Sequence, residues 1–279
     1  MKTGRASKTA LRVAIRRAAH QLMEEPKILH DPVVMQLLGP GFERDIERAS
    51  HKVARDFRAF MAVRSRFAED LLAEAVAEGV RQYVVLGAGL DTFAYRNPHA
   101  GMHVFEVDYP ATQEWKRARL AEAKITEPES LTFVPLDFEH HTLAEGLTEA
   151  GFDFARPAFF GWLGVVPYLT LDAVRSTLAM IGGLLPGSGV CFDYALDPDT
   201  LSSERRLVFE ALAARVERAG EPFRTFFTPG GLERLLGEAG FSRVVHSDAE
   251  FMNERYFDGR ADGLRLSTEA LGQMTAAWV

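Results

Sequence analysis

Apolar residues recur along the first third of this chain at helical spacing. Residues 8–23 read as one helix, with Leu11, Val13, Ala14, Ile15 and Ala18 as its apolar positions. His30-Asp31-Pro32 breaks the chain, and a second short helix covers Val33 to Leu38, stopped by Gly39-Pro40-Gly41. A long helix follows from about Lys52 to Glu78, on which Val53, Phe57, Phe60, Met61, Arg64, Phe67, Leu71 and Leu72 recur at intervals of three and four. Gly79 ends it. From there short β-branched and aromatic runs take over: QYVVL at 82–86, HVFEV at 103–107, LTFVPL at 131–136, AFFGWLGV at 158–165 and VCFDYAL at 190–196. The segments 111–124, 141–150 and 171–185 between them are helical in character. Alternating strand and helix predicts an α/β fold, a Rossmann-like, doubly wound, mostly parallel sheet with an N-terminal helical cap. A charged helix at about 200–219, a helix from Thr228-Pro229-Gly230 to Gly240 and a strand FSRVVHS at 241–247 follow, the last expected to close the sheet as a late hairpin. No repeat, low-complexity tract or Gly/Ser linker divides the chain. A single domain over 1–279 is expected, with the cap at 1–79 and the core at 80–250, the latter carrying a helical insertion at about 195–230.

Composition narrows the partners. A formal net charge of -7 argues against broad nucleic-acid binding, which needs a phosphate-neutralising basic surface, and favours a small-molecule partner. The single cysteine, Cys191, forms no intrachain disulfide and excludes a cysteine-rich metal site, which suits a reducing cytoplasm. Lys2, Arg5, Lys8, Arg12, Arg16 and Arg17 give the N-terminus a targeting-peptide charge without the apolar core of a secretory signal. No stretch reaches the roughly 18 apolar residues of a membrane span.

The chemistry concentrates at strand ends. In VVLGAGLDT, Gly87-Ala88-Gly89 leaves backbone amides exposed after a buried strand, a cofactor turn unless it is only a tight bend. Thr92 stands where a dinucleotide fingerprint would have its third glycine, which disfavours a pyrophosphate. The second strand ends in Asp108, whose carboxylate can accept from both hydroxyls of a ribose, and the third in Asp137-Phe138, where a carboxylate and a backbone amide can meet adenine. These three strand ends outline a nucleoside pocket. His140-His141 lacks a third ligand at metal spacing, Cys191 sits in an apolar strand, and Pro186-Gly187-Ser188-Gly189 is a turn and not a nucleophile elbow; no metal is expected.

VVLGAGLDTFAYR, VFEVDYP, PLDFE and WLGVVPYLT stand in the order and spacing of the leucine carboxyl methyltransferase family, which the chain resembles over about residues 7–260. His30-Asp31-Pro32 is similar to the family's HDP element, and VRSRFAEDLL at 63–72 to the helix whose arginine meets the methionine carboxylate. The resemblance implies an S-adenosylmethionine-dependent methyltransferase in which Arg64 pairs with that carboxylate, Gly87 lines the methionine portion, Asp108 holds the ribose, and Asp137 with Phe138 binds adenine. Arg66, two residues on, is the alternative to Arg64. Where eukaryotic members carry an acid before the glycine of the fourth-strand motif, this chain has Leu163 before Gly164, so a second polar contact is missing and the match shifts to the bacterial branch. A small metabolite methylated on a carboxylate or hydroxyl oxygen by direct in-line transfer is expected, ahead of a protein C-terminal leucine. Tyr168, Tyr194, Arg255 and Tyr256 are candidates for the acceptor side. An NAD(P)-dependent oxidoreductase is the competing enzyme, opposed by the missing third glycine and by the lack of a Tyr-x-x-x-Lys pair, and a non-catalytic cofactor-binding protein is the competing class.

Overall fold

The computed structural model describes residues 7–51, 55–137, 141–218, 220–267 and 271–279. Its centre is β1 (Gln82–Leu86), buried along its whole length. Alternation along that strand sends Val84 and Leu86 to one face of the sheet and Tyr83 and Val85 to the other. Both faces are covered, which is why the strand reads as an unbroken apolar run. Around it lie β2 (His103–Asp108), β3 (Leu131–Pro135), β4 (Phe159–Trp162), β5 (Gly189–Ala195), β6 (Arg243–Ser247) and β7 (Gly272–Trp278), in the order β3-β2-β1-β4-β5-β7-β6. The first five pair in parallel; β7 runs antiparallel to both β5 and β6.

Helices cover the two faces. On one, α6 (Leu143–Glu149), α7 (Leu171–Gly182) and α9 (Pro229–Glu238) bury Leu147, Val174, Leu178, Ile181, Leu232 and Leu236 against Phe160, Trp162 and Phe192. On the other, α4 (Arg55–Ala77) sets Ala62, Val63, Phe67 and Leu72 against Tyr83, Phe159 and Cys191, joined by Met252 of α10 (Ala249–Tyr256). The cap is α1 (Lys8–Met23), α2 (Pro32–Leu38) and α3 (Glu43–Ser50), which pack Ala14, Ala18, Val34, Leu37 and Ile46 on Leu90, just beyond β1, and on Leu120 of α5 (Pro110–Glu122). The charged helix α8 (Ser203–Arg218) leaves Leu207 and Val208 exposed. No helix among the described residues is long and apolar enough to cross a membrane.

Three features differ from the sequence expectation. The fourth strand stops at Trp162, because Gly164 turns the backbone left-handed at φ +72° and one 3-10 turn follows at Val166–Tyr168. The helix α3 went unread because in ERDIERAS only Ile46 is buried, leaving no apolar periodicity. The sheet also does not end near 250: β7, rich in glycine and alanine, inserts between β5 and β6, with Thr275, Ala276 and Ala277 fully buried. Its strand character comes from those two neighbours and not from local propensity.

Cap and core are tied by buried charge. Asp31 caps α2, accepting from Val34 N–H at 3.2 Å, pairs with Arg17 of α1, and accepts from the Thr92 hydroxyl at 2.8 Å. Thr92 in turn accepts from Arg17 Nη2 at 2.5 Å and Arg96 Nε at 3.3 Å, and Arg96 holds Glu69 of α4 through both terminal nitrogens. Burial alone would raise the Asp31 carboxyl, but the charges of Arg17 and Arg96 outweigh it and hold it below its ordinary value. Its contribution to stability is therefore present above the ordinary carboxylate range and lost as pH falls through the lowered value. Asp31→Ala removes the buried carboxylate that Arg17 and the Arg96 charge share, and urea unfolding at pH 7 should show a loss of about 3–5 kcal/mol, shrinking on acidification.

Candidate functional site

A cavity of about 580 Å³ opens at the carboxyl ends of β1, β2 and β4. The chain at the carboxyl ends of β1 to β4 forms its floor, the position where ligands bind in open α/β sheets. The β1 end supplies Gly87-Ala88-Gly89, the β2 end Asp108, the chain after β3 Asp137, and the β4 end Gly161 and Leu163 to Val165. Ala10, Val13 and Ala14 of α1 form one wall, and residues 220–222 and Arg224 form another. Those two walls are laced together, since Ser7 and Thr9 donate their hydroxyls to Glu221.

The glycine turn has little room to be anything else. Gly87 adopts φ +67°, and a Cβ there would stand 2.3 Å from a methyl carbon of Val165. Gly87 and Ala88 both donate their N–H to Val107 O, at 2.8 and 3.1 Å, fixing the turn to β2. The Asp108 carboxylate accepts from Gly89 N–H at 2.5 Å and Tyr109 N–H at 2.6 Å. It is 7% exposed, and burial pushes its carboxyl up to about 6, partly offset by those two N–H groups and by the Lys116 charge. Beneath it, Glu106 pairs with Lys116 at 2.5 Å, and burial raises Glu106 to about 7.

Arg64 reaches the other end of the cavity from α4. It is 6% exposed, its Nη1 lies 3.3 Å from Asp193 Oδ2, and its buried Nε has no partner. Gly164 accommodates it: a Cβ at that position would lie 2.9 and 3.0 Å from the two Nη atoms. Gly164 N–H donates to the second oxygen of Asp193 at 2.5 Å. Arg66, two residues on and so on the opposite side of the helix, is exposed and bonded to Asp70.

The structure thus brings Arg64, Gly87, Ala88, Gly89, Asp108, Asp137 and Tyr168 to one cavity, while Phe138 lies outside the described residues. Tyr168 packs at 5.4 Å against Phe223 with the rings tilted, and burial, with the Asp193 charge second, pushes its hydroxyl up to about 12. The other three acceptor candidates are elsewhere. Tyr194 points to the opposite face of β5, edge-on to Phe227, and donates to Gln273 Oε1 at 2.8 Å. Strand alternation is the reason: its neighbour Asp193 takes the side that faces Arg64 of α4. Arg255 and Tyr256 sit on α10 and are engaged by Glu74 and Asp70 of α4, because that helix lies along α4 away from the strand ends. Asp193 was missed, although its signal was in VCFDYAL: a lone acid in an apolar strand must be balanced where it is buried.

Residues 10–182 match the profile of the leucine carboxyl methyltransferase family. A Bacillus subtilis (strain 168) protein, YktD, named as a candidate S-adenosyl-L-methionine-dependent methyltransferase, is 30% identical over 95% of each chain. A Mycobacterium avium (strain 104) protein of similar name is 32% identical over 88% of this chain and 86% of its own. The fold is shared with a candidate methyltransferase from Thermobifida fusca YX (TM-score 0.58, 19% identity, 99% of this chain and 96% of that one). It is shared too with a DUF574 family protein of Streptomyces avermitilis (TM-score 0.59, 14% identity, 98% and 97% covered). Matched over the greater part of its length by the family profile and nearly end to end by a bacterial relative, the chain belongs to the leucine carboxyl methyltransferase family.

Proposed function

We propose that this member of a family of S-adenosylmethionine-dependent methyltransferases methylates a carboxylate or hydroxyl oxygen of a small metabolite by direct in-line transfer. The observation that carries the reading is one cavity with a buried acid at a strand end and, at its other end, a buried arginine whose Nε is unpartnered. That pair of chemistries fits a nucleoside joined to an amino acid. Asp108, with both oxygens already oriented by backbone N–H groups, keeps lone pairs for the two ribose hydroxyls. Asp137, lining the same end, is assigned to the adenine amine, and Gly87 to the methionine chain that must pass close to the backbone. Arg64, which lines the cavity and is bonded to Asp193 through Nη1, is assigned to the methionine carboxylate.

When bound, S-adenosylmethionine supplies a methyl group activated on a sulfonium. The protein's part is to align the acceptor and exclude water, and α1 with the 220–224 segment walls the acceptor end. Tyr168 keeps its proton at neutral pH, since its hydroxyl is pushed up to about 12; it can orient an acceptor oxygen as a donor but does not serve as the base. A carboxylate acceptor, already ionised, needs none. The walled acceptor end favours a small molecule over a protein tail.

Three outcomes test the reading. Asp108→Ala should weaken S-adenosylhomocysteine binding, measured by calorimetry, by about 1–3 kcal/mol without loss of fold. Wild-type affinity should fall as pH drops through about 6, where Asp108 gains its proton and one hydroxyl loses its acceptor. Unchanged affinity in the variant would misplace the ribose. Incubation with methyl-labelled cofactor and a panel of carboxylic acids, phenols, amines and thiols should place label on oxygen in the product's mass spectrum; label confined to nitrogen or sulfur would overturn the O-methyl assignment.

A further inference from the structure

Leu163 faces the cavity at the end of β4, at the position where the sequence lacks an expected acid. The register with β5 shows what stands beside it. Gly161 is opposite Cys191 and Trp162 opposite Phe192, so the next position along β5 is Asp193. The acid is present, one strand over.

Its surroundings make that placement costly unless it is used. Val190, Cys191 and Phe192 are fully buried, Tyr194 is 1% exposed and Asp193 itself 7%. A carboxylate there must be balanced by a cation and by hydrogen bonds. Arg64 supplies the first through a single Nη, and Gly164 N–H supplies the second. The bond to Asp193 leaves Arg64 Nε buried and unpartnered, while fixing where a long and otherwise rotatable side chain points. It also ties the turn after β4 to β5, and with it the glycine on which the guanidinium packs.

We infer that Asp193 is the positioning residue for the amino-acid end of the cofactor: it aims Arg64 and holds the Gly164 turn, supplying from β5 the negative charge that Leu163 does not. The inference rests on the cofactor reading above. It predicts a defect confined to the part of the ligand that Arg64 reads.

Calorimetric titration with two probes separates the possibilities: S-adenosylhomocysteine, and 5′-methylthioadenosine, which keeps the nucleoside and thioether but has no amino acid. Asp193→Asn should weaken S-adenosylhomocysteine about tenfold or more while 5′-methylthioadenosine binds as in the wild type. The double variant Leu163→Glu with Asp193→Asn returns an acid to the neighbouring strand and should recover most of the lost affinity; it also serves if the single variant does not fold. Unaltered S-adenosylhomocysteine binding in Asp193→Asn would overturn the inference. So would an equal loss of both probes, which marks a structural residue, or a double variant that binds only 5′-methylthioadenosine. If the wild type binds neither probe, the cofactor reading itself fails, a result distinct from all of these.

Discussion

A helical cap of modest apolar content rests on the glycine turn of an α/β sheet, and what keeps it there is a buried set of charges meeting at Thr92. One hydroxyl donates to Asp31 of the cap and accepts from Arg17 of α1 and Arg96 of the core, while Arg96 grips Glu69 of α4. Every member is paired, the condition under which buried charge can be tolerated. The consequences spread outward. With Arg17 anchored, α1 lies close over the turn: a Cβ on Gly89 would come within 2.8 Å of Ala10 Cβ. The same helix, on the face bearing Ala10, Val13 and Ala14, becomes a wall of the cavity. Thr92 occupies the place of a dinucleotide fingerprint's third glycine, and its hydroxyl gives a positive reason for the substitution: the position is spent on holding the cap.

A second constraint operates beneath the turn. Asp108 and Glu106 are successive inward acids of β2, both nearly inaccessible and both raised by burial, to about 6 and about 7. Such shifts oppose folding near neutral pH: the contribution of a raised carboxyl is full below its ordinary value and lost as pH rises through the shifted one. Glu106 answers the cost with Lys116. Asp108 has no such partner in contact; it is held by two backbone N–H groups. An acid kept oriented but short of a counter-charge is poorly placed for stability and well placed to accept hydrogen bonds from a ligand.

Much of this was legible in the sequence, and the failures have causes. The limits of α1 follow from its apolar periodicity, and those of β1 from an unbroken apolar run that is buried on both faces. The strand-end acids could be placed because parallel strands deliver their carboxyl ends to one edge. That Arg64 faces inward and Arg66 outward follows from the helical period once α4 is fixed. What the sequence hid is non-local. The helix α3 buries one apolar residue, and β7 is a strand only because β5 and β6 flank it. Tyr194, Arg255 and Tyr256 attracted interest as functional residue types, but β5 alternation and the lie of α10 turn them away.

The unread strand bears directly on the site. Over its whole length β7 pairs with β5, from Gly189 against Trp278 to Ala195 against Gly272, and the pairing sets Asp193 against Met274. Parallel neighbours alone would leave the carboxyl end of β5 exposed along one edge beyond Trp162, where β4 has already turned away at Gly164. Antiparallel pairing with the last strand of the chain supplies the missing ladder there and fixes the direction of the Asp193 side chain. The acid paired with Arg64 is therefore held by residues some eighty positions downstream, and the sheet's reversed strand is part of what sets the Arg64 end of the cavity.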